Sequence, residues 1–387
     1  MSRRFDHDFT PASADPIGDV AQLTTLEIAN AGLREVLQAP GAALGSWALL
    51  DALLDPDTED FRFLEPLGRS REVKTALSGL FGRFVARAYA ERHLRIPYFA
   101  HITDETMAVD PVTNARIRRL APGDLPDWVT WRADTQALAI VEAKGSHEPG
   151  QPKRALKRAK DQAERVTVEI DGVEAPLKRF AIATRWASSP LERSMICVDD
   201  PDAPGGLSGE DVTRIGLGVA RAHAASLLAP LGHHALAKAL RSGHLETGKG
   251  ADLADGSARA MLERSSFFRV DAPLGGLQPE GQPATDLIGG YVIRGGVVPN
   301  PAILDRDDIE RLRRMDLDPV LVGIDRQTLD SLITGDREKL AVRQVWDVVS
   351  AWREDPLAPQ SGGGGDWVVR SPEIEVEVVA GQTVREI

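Results

Sequence analysis

From Arg71 to Leu94 the apolar residues Val73, Leu77, Leu80, Phe81, Phe84, Val85 and Ala88 return at three- and four-residue steps. That period predicts one apolar face of a long helix. The pattern then changes. IPYFAHIT (96–103) and PDWVTW (126–131) read as strands, and ALAIVEAKG (137–145) as a third with an apolar centre. KRALKRAKDQAERVTV opens as a strongly basic helix, and KRFAIATRWA (178–187) and SMICVDD (194–200) read as further strands. The order is αβββαβ, which predicts an α/β fold on a sheet of mixed strand direction.

The flanks are less regular. Residues 1–16 read as a polar, proline-containing tail, and 19–54 as helical with a break at Pro40-Gly41. Ser208 is a candidate helix cap for the mostly helical run that follows it, while 245–286 is rich in Gly and Asp with little periodicity. The expected organisation is an N-terminal tail and helical region (1–70), a central domain with its following helices (71–245), a linker (246–286) and a C-terminal α/β accessory domain (287–387). Helices are expected at LDRDDIERLRRM and through VWDVVSAWRE, and a flexible segment at 355–365.

Composition narrows the classes. With 387 residues and 42% hydrophobic positions the chain has ample material for a buried core. No apolar run is long enough for a transmembrane helix, and the two arginines near the start precede no apolar stretch. No membrane association is therefore expected, and the cytoplasm is the default location. The single cysteine, Cys197, excludes an internal disulfide framework and any cysteine-based zinc cluster.

The net charge of −12 argues against a protein coated with basic surface. It is unevenly spread, however. Between Pro111 and Val168 eleven basic residues face seven acidic ones, a local +4 on a chain whose remainder carries −16. Lys153, Arg154, Lys157 and Arg158 concentrate that charge and are candidate nucleic-acid contacts. A solvated helix face is the plainer reading of the same residues.

The candidate chemistry lies in PDWVTWRADTQALAIVEAKG. Alternation along a strand puts Glu142 and Lys144 on one side and Ala143 on the other. If the two strands pair through the ADTQ turn, Asp127 comes near Glu142. Two carboxylates and the Ala143 backbone carbonyl would supply part of an oxygen shell for Mg²⁺ or Mn²⁺. Lys144 would face the same centre and offset charge at a reacting phosphate.

Asp127, fourteen intervening residues, and then Glu142-x-Lys144 resemble the signature of the PD-(D/E)xK nuclease superfamily. The resemblance covers about a third of the chain, over 71–187. It implies a restriction-endonuclease-like mixed sheet flanked by helices, and metal-dependent hydrolysis of phosphodiesters, with DNA ahead of RNA as substrate. It also suggests Gln162, on the helix after ExK, as a supporting residue, and an acidic residue from the first helix, with Glu91 the candidate metal ligand and Glu72 behind it. A role in bacterial genome defence follows from family habit. Flanking regions would contact substrate, a protein partner or a second copy of the chain. The rival reading is a nuclease-like module that binds nucleic acid or protein without cutting. On the residues alone, a hairpin with a solvated Glu142–Lys144 pair competes with both.

Overall fold

The computed structural model describes residues 2–37, 50, 52–64, 67, 70–103, 106–110, 112–147, 150–187, 189, 191–200, 209–245, 256–270, 285–293, 296–298, 320–341, 360–362, 366–369 and 376–379. It is a mixed α/β protein that divides into two compact units. The first comprises 1–35, 46–107 and 115–216, and the second 36–45, 108–114 and 217–387.

The first unit is built from β1 (Ser2–Thr10), β2 (Val20–Thr24), α1 (Thr25–Val36), α2 (Arg71–Arg92), β3 (Tyr98–His101), β4 (Thr106–Ala108), β5 (Asn114–Arg119), β6 (Trp128–Arg132), β7 (Ala137–Ser146), α3 (Lys153–Ala163), β8 (Val166–Ile170), β9 (Val173–Glu174), β10 (Leu177–Arg185) and β11 (Met195–Asp199). Seven of these strands form one sheet in the order β2-β1-β11-β10-β7-β6-β3. β7 runs parallel to β10 and antiparallel to β6, and β1 runs parallel to β11. The elements expected from 71 to 187 are all present, in the expected order.

α2 begins at Ser70, whose side chain accepts the Val73 N–H at 3.2 Å, a standard N-cap. Its middle buries Phe81, Phe84, Val85 and Ala88, the second half of the periodic face read from the sequence; Leu77 and Leu80 are half-buried and Val73, in the first turn, is exposed. The chain leaves the helix through Arg95, at φ 54°, ahead of Pro97.

The central strand β7 is buried along most of its length because helices cover both of its faces. A Cβ on Gly145 would lie 1.9 Å from the Ser78 carbonyl oxygen of α2. The neighbouring Lys144 instead hydrogen-bonds Gln162 of α3. Since successive strand residues point to opposite faces, α2 and α3 lie on opposite sides of the sheet. The close α2–β7 crossing requires glycine on both elements: a Cβ on Gly82 would lie 2.6 Å from the Gly145 nitrogen.

Three expectations are corrected. Residues 2–10 are a strand within the main sheet, where 1–16 was read as a tail. Its inward positions are Arg3, Phe5, His7 and Phe9, and two polar residues among the four hide the alternation. Both are satisfied inside: Arg3 donates to the Asp55 and Thr58 carbonyls at 2.7 and 2.6 Å, and the His7 ring bonds Gly18 O at 2.7 Å and the Tyr89 hydroxyl at 2.8 Å. Second, Val20–Thr24 is a strand where helix was expected, burying Ala21 and Leu23 in alternation. Third, β4, β5, β8 and β9 form a separate four-stranded sheet that the sequence reading lacked.

Trp128 and Trp131 are both fully buried core residues. Trp131 stacks on Tyr98 at 5.7 Å and packs so tightly against Gly216 that a Cβ there would reach 2.2 Å from the indole nitrogen. Cys197 is buried in β11 and its thiol is pushed up to about 12, first by burial and then by Asp8. It is a core residue.

The helix α4 (Gly209–Leu228) contains the boundary between units. In the second unit α5 (His234–Arg241), α6 (Ala258–Arg264) and α7 (Arg326–Thr334) accompany a six-stranded path of strands, with one further strand paired at its side. Its centre is the antiparallel pair Thr285–Ile293 and Val320–Asp325. Within the stretch expected as a linker, α6 and the strand Phe267–Val270 are ordered elements. The helices expected at LDRDDIERLRRM and VWDVVSAWRE, the break at Pro40-Gly41 and most of 355–365 lie outside the described residues. No helix among the described residues is long and apolar enough to cross a membrane.

Candidate active site

Asp127 precedes β6 and stands beside Glu142 in β7, where the ladder between the two strands ends at Trp128–Val141. The two residues are tied reciprocally. The Asp127 N–H donates to Glu142 Oε2 at 2.9 Å, and the Ala143 N–H donates to Asp127 Oδ2 at 2.9 Å. A strand residue's N–H and C=O point to the same edge, so the Ala143 carbonyl also faces the Asp127 side, beyond the last paired residue of β6.

Glu142 is fully buried. Burial, and then the nearby Asp127 carboxylate, raise its pKa against the opposing pull of Lys144. Asp127 is raised as well, again first by burial, with Arg83 and the Ala143 N–H opposing. Two carboxylates withdrawn from water side by side resist sharing two negative charges, and a cation between them removes that resistance.

Lys144 lies against Glu142, donating to its Oε1, and donates a second hydrogen bond to Gln162 Oε1 at 2.9 Å. The Gln162 amide in turn donates to the Leu125 carbonyl at 2.6 Å. The side chain of one buried glutamine therefore fixes both the ammonium and the loop that delivers Asp127. All four residues expected to carry the chemistry, Asp127, Glu142, Lys144 and Gln162, come together.

Glu91 does not join them. It is held by Arg34 at 2.5 Å and by Arg87 at 3.0 Å, two helical turns beyond Arg83 on α2. Glu72 is exposed in the first turn of that helix. The helical carboxylate linked to the site is instead Glu35, from α1. It pairs with Arg87 at 2.6 Å and with Arg83 at 3.1 Å, and Arg83 continues to Asp127 Oδ1 at 3.3 Å. Burial alone would raise Glu35, but Arg87, then His101 and Arg83, hold its carboxyl below the usual range.

Glu35, Arg83 and His101 were not singled out from the sequence. One signal was available: Arg83, Arg87 and Glu91 recur every four residues, a charged stripe on a helix whose middle is otherwise apolar.

The expected nucleic-acid contacts lie on the exposed face of α3. Lys153, Arg154, Lys157 and Arg158 are exposed, while Ala155, Ala159, Gln162 and Ala163 pack inward. Lys160 is engaged by Asp199 at 3.2 Å.

No family model, curated protein or solved structure matches this chain. The site's chemistry must be judged from its own residues.

Among the described residues no group of three or more His, Cys, Asp or Glu side chains is arranged to hold a metal ion. A site for Mg²⁺ does not need one. That ion keeps several waters and takes one or two carboxylates from the protein. Asp127, Glu142 and the Ala143 carbonyl fit that donor set, and the strained charge of the buried pair is the feature a divalent cation would relieve.

Proposed function

We propose that this chain is a metal-dependent nuclease, built on a restriction-endonuclease-like core, that hydrolyses phosphodiester bonds in DNA. The observation that carries the reading is the reciprocal hold between Asp127 and Glu142 on neighbouring strands, with Lys144 against Glu142. Among the strands of the main sheet the order around it is αβββαβ, and this and the basic exposed face of α3 support the same reading.

In this account Asp127, Glu142 and the Ala143 carbonyl would hold Mg²⁺ or Mn²⁺, which would supply polarisation of the phosphoryl group and a lowered pKa for a water molecule. Lys144 has three N–H donors. Two go to Glu142 and Gln162, and the third is left to orient the attacking water and offset charge on the pentavalent phosphorus. Gln162 keeps the ammonium in that position. The water oxygen bonds to phosphorus and the P–O bond to the leaving sugar breaks, with its electron pair passing to the leaving oxygen. The water gives up a proton to solvent and the leaving oxygen takes one up.

Incubating the full chain with plasmid, linear duplex, single-stranded DNA and RNA, in Mg²⁺ or Mn²⁺ against EDTA, tests the reading. Metal-dependent cutting of DNA is expected. Failure to cut any of the four with either metal would overturn it in favour of a binding module.

A further inference from the structure

Arg83 touches the site but has no place in the mechanism above. Its guanidinium lies over the Trp128 ring, 5.2 Å from the centroid, with Glu35 at 3.1 Å, His101 Nδ1 at 3.3 Å and Asp127 Oδ1 at 3.3 Å. Neutralising Glu35 does not explain it. Arg87 already does so at 2.6 Å and is nearly inaccessible, whereas the Arg83 side chain is 35% exposed. A cation stacked on a buried indole is fixed by its stem and ring contact, and its fork can still change partners.

The oxygen it holds is also significant. Asp127 Oδ2 is taken by the Ala143 N–H, so Oδ1, the oxygen Arg83 occupies, is the one an incoming cation would take. We propose that Arg83 is a placeholder cation: it occupies Asp127 until the divalent ion binds, and the guanidinium thereby released grips a non-bridging oxygen of the substrate phosphate. The inference rests on the proposed metal site and adds to it a residue with two successive partners. Arg–phosphate pairing is favourable for the same geometric reason as Arg–carboxylate pairing.

The placeholder role gives effects of opposite sign in two assays, which a purely structural role does not. Titrating Mn²⁺ alone into the full-length protein, followed by calorimetry, should show roughly three- to tenfold tighter binding in Arg83→Gln or Arg83→Met than in wild type, because a competing charge is gone. Fluorescence anisotropy of a short DNA duplex in Ca²⁺ should show roughly tenfold weaker binding in the same variants, partly restored in Arg83→Lys. Two neutral variants are used because either one suffices if the other fails to fold. Unchanged or weaker Mn²⁺ binding in a folded variant overturns the proposal, as does unchanged duplex affinity. Absence of Mn²⁺ binding to the wild type overturns the metal site itself. Wild-type binding that is indifferent to Arg83 overturns only the inference about Arg83.

Discussion

Asp127 and Glu142 are joined through each other's strands: the Asp127 backbone N–H ends on Glu142 Oε2, and the N–H of the residue after Glu142 ends on Asp127 Oδ2, both at 2.9 Å. Each carboxylate is thus fixed before any ligand arrives. Preorganisation of this kind is what a metal site needs for geometry, and it holds two like charges where water is scarce.

The first expectation concerns the pair itself. Asp127→Asn and Glu142→Gln should each lose Mn²⁺ binding by about 100-fold or more, since each removes one of two anionic donors. Calorimetric titration of the two variants and wild type checks it. Retained affinity in both would place the ion elsewhere.

Gln162 separates support from metal binding. Gln162→Leu removes the bonds to Lys144 and to the Leu125 carbonyl. The expected outcome is a fall in kcat of roughly tenfold with Mn²⁺ affinity near wild type, and a stability loss of about 1–2 kcal/mol. Turnover, metal titration and urea unfolding on one preparation resolve the three effects.

Much of this was legible in the sequence, for identifiable reasons. Glu142 and Lys144 sit two apart on a strand flagged by the apolar ALAIV, so their shared face follows from alternation alone. Gln162 followed from the resemblance. Glu35 did not, because it reaches the site through Arg83, 48 residues along the chain, and helical period does not say which stripe of α2 meets α1. Glu91 was chosen from that same helix, and Arg34 and Arg87 claim it. β1 was missed because Arg3 and His7 face inward and find partners there, which reverses the usual meaning of polar residues in a pattern.

The α2–β7 crossing fixes the floor of the site. Gly145→Ala would drive a Cβ to 1.9 Å from the Ser78 carbonyl and 2.9 Å from its hydroxyl. The backbone there has no flexible atom to give way, so destabilisation of roughly 3–5 kcal/mol is expected. The shift in the urea midpoint measures it.

His93 ties stability to pH. Burial, with Arg92 and His7 adding to it, pulls its pKa down to about 4 even though the ring bonds the Gln22 carbonyl at 3.0 Å. The unfolded value is near 6.5, so between those values only the unfolded chain takes the proton. The contribution is fully present above about pH 6.5 and is lost as pH falls toward about 4. Because the ring is only partly buried, the change is on the order of 1–3 kcal/mol. His93→Gln should flatten the slope of unfolding free energy across that window relative to wild type. Parallel slopes would show that the ring is solvated.

The exposed face of α3 makes a claim about salt. Lys153→Gln and Lys157→Gln should each weaken duplex binding for all sequences alike, and each should reduce the slope of log affinity against log salt by about 1. Anisotropy across a salt series reads both. A slope identical to wild type would move the DNA path off this helix.

The central claim is that Glu142 and Lys144 serve one phosphodiester-cleaving centre. Plasmid cleavage in Mg²⁺ by wild type, Glu142→Ala and Lys144→Ala, each confirmed folded, tests it most directly. Cutting by wild type that is abolished by EDTA and lost in both variants is the expected result. Cutting that persists in either variant would contradict the account.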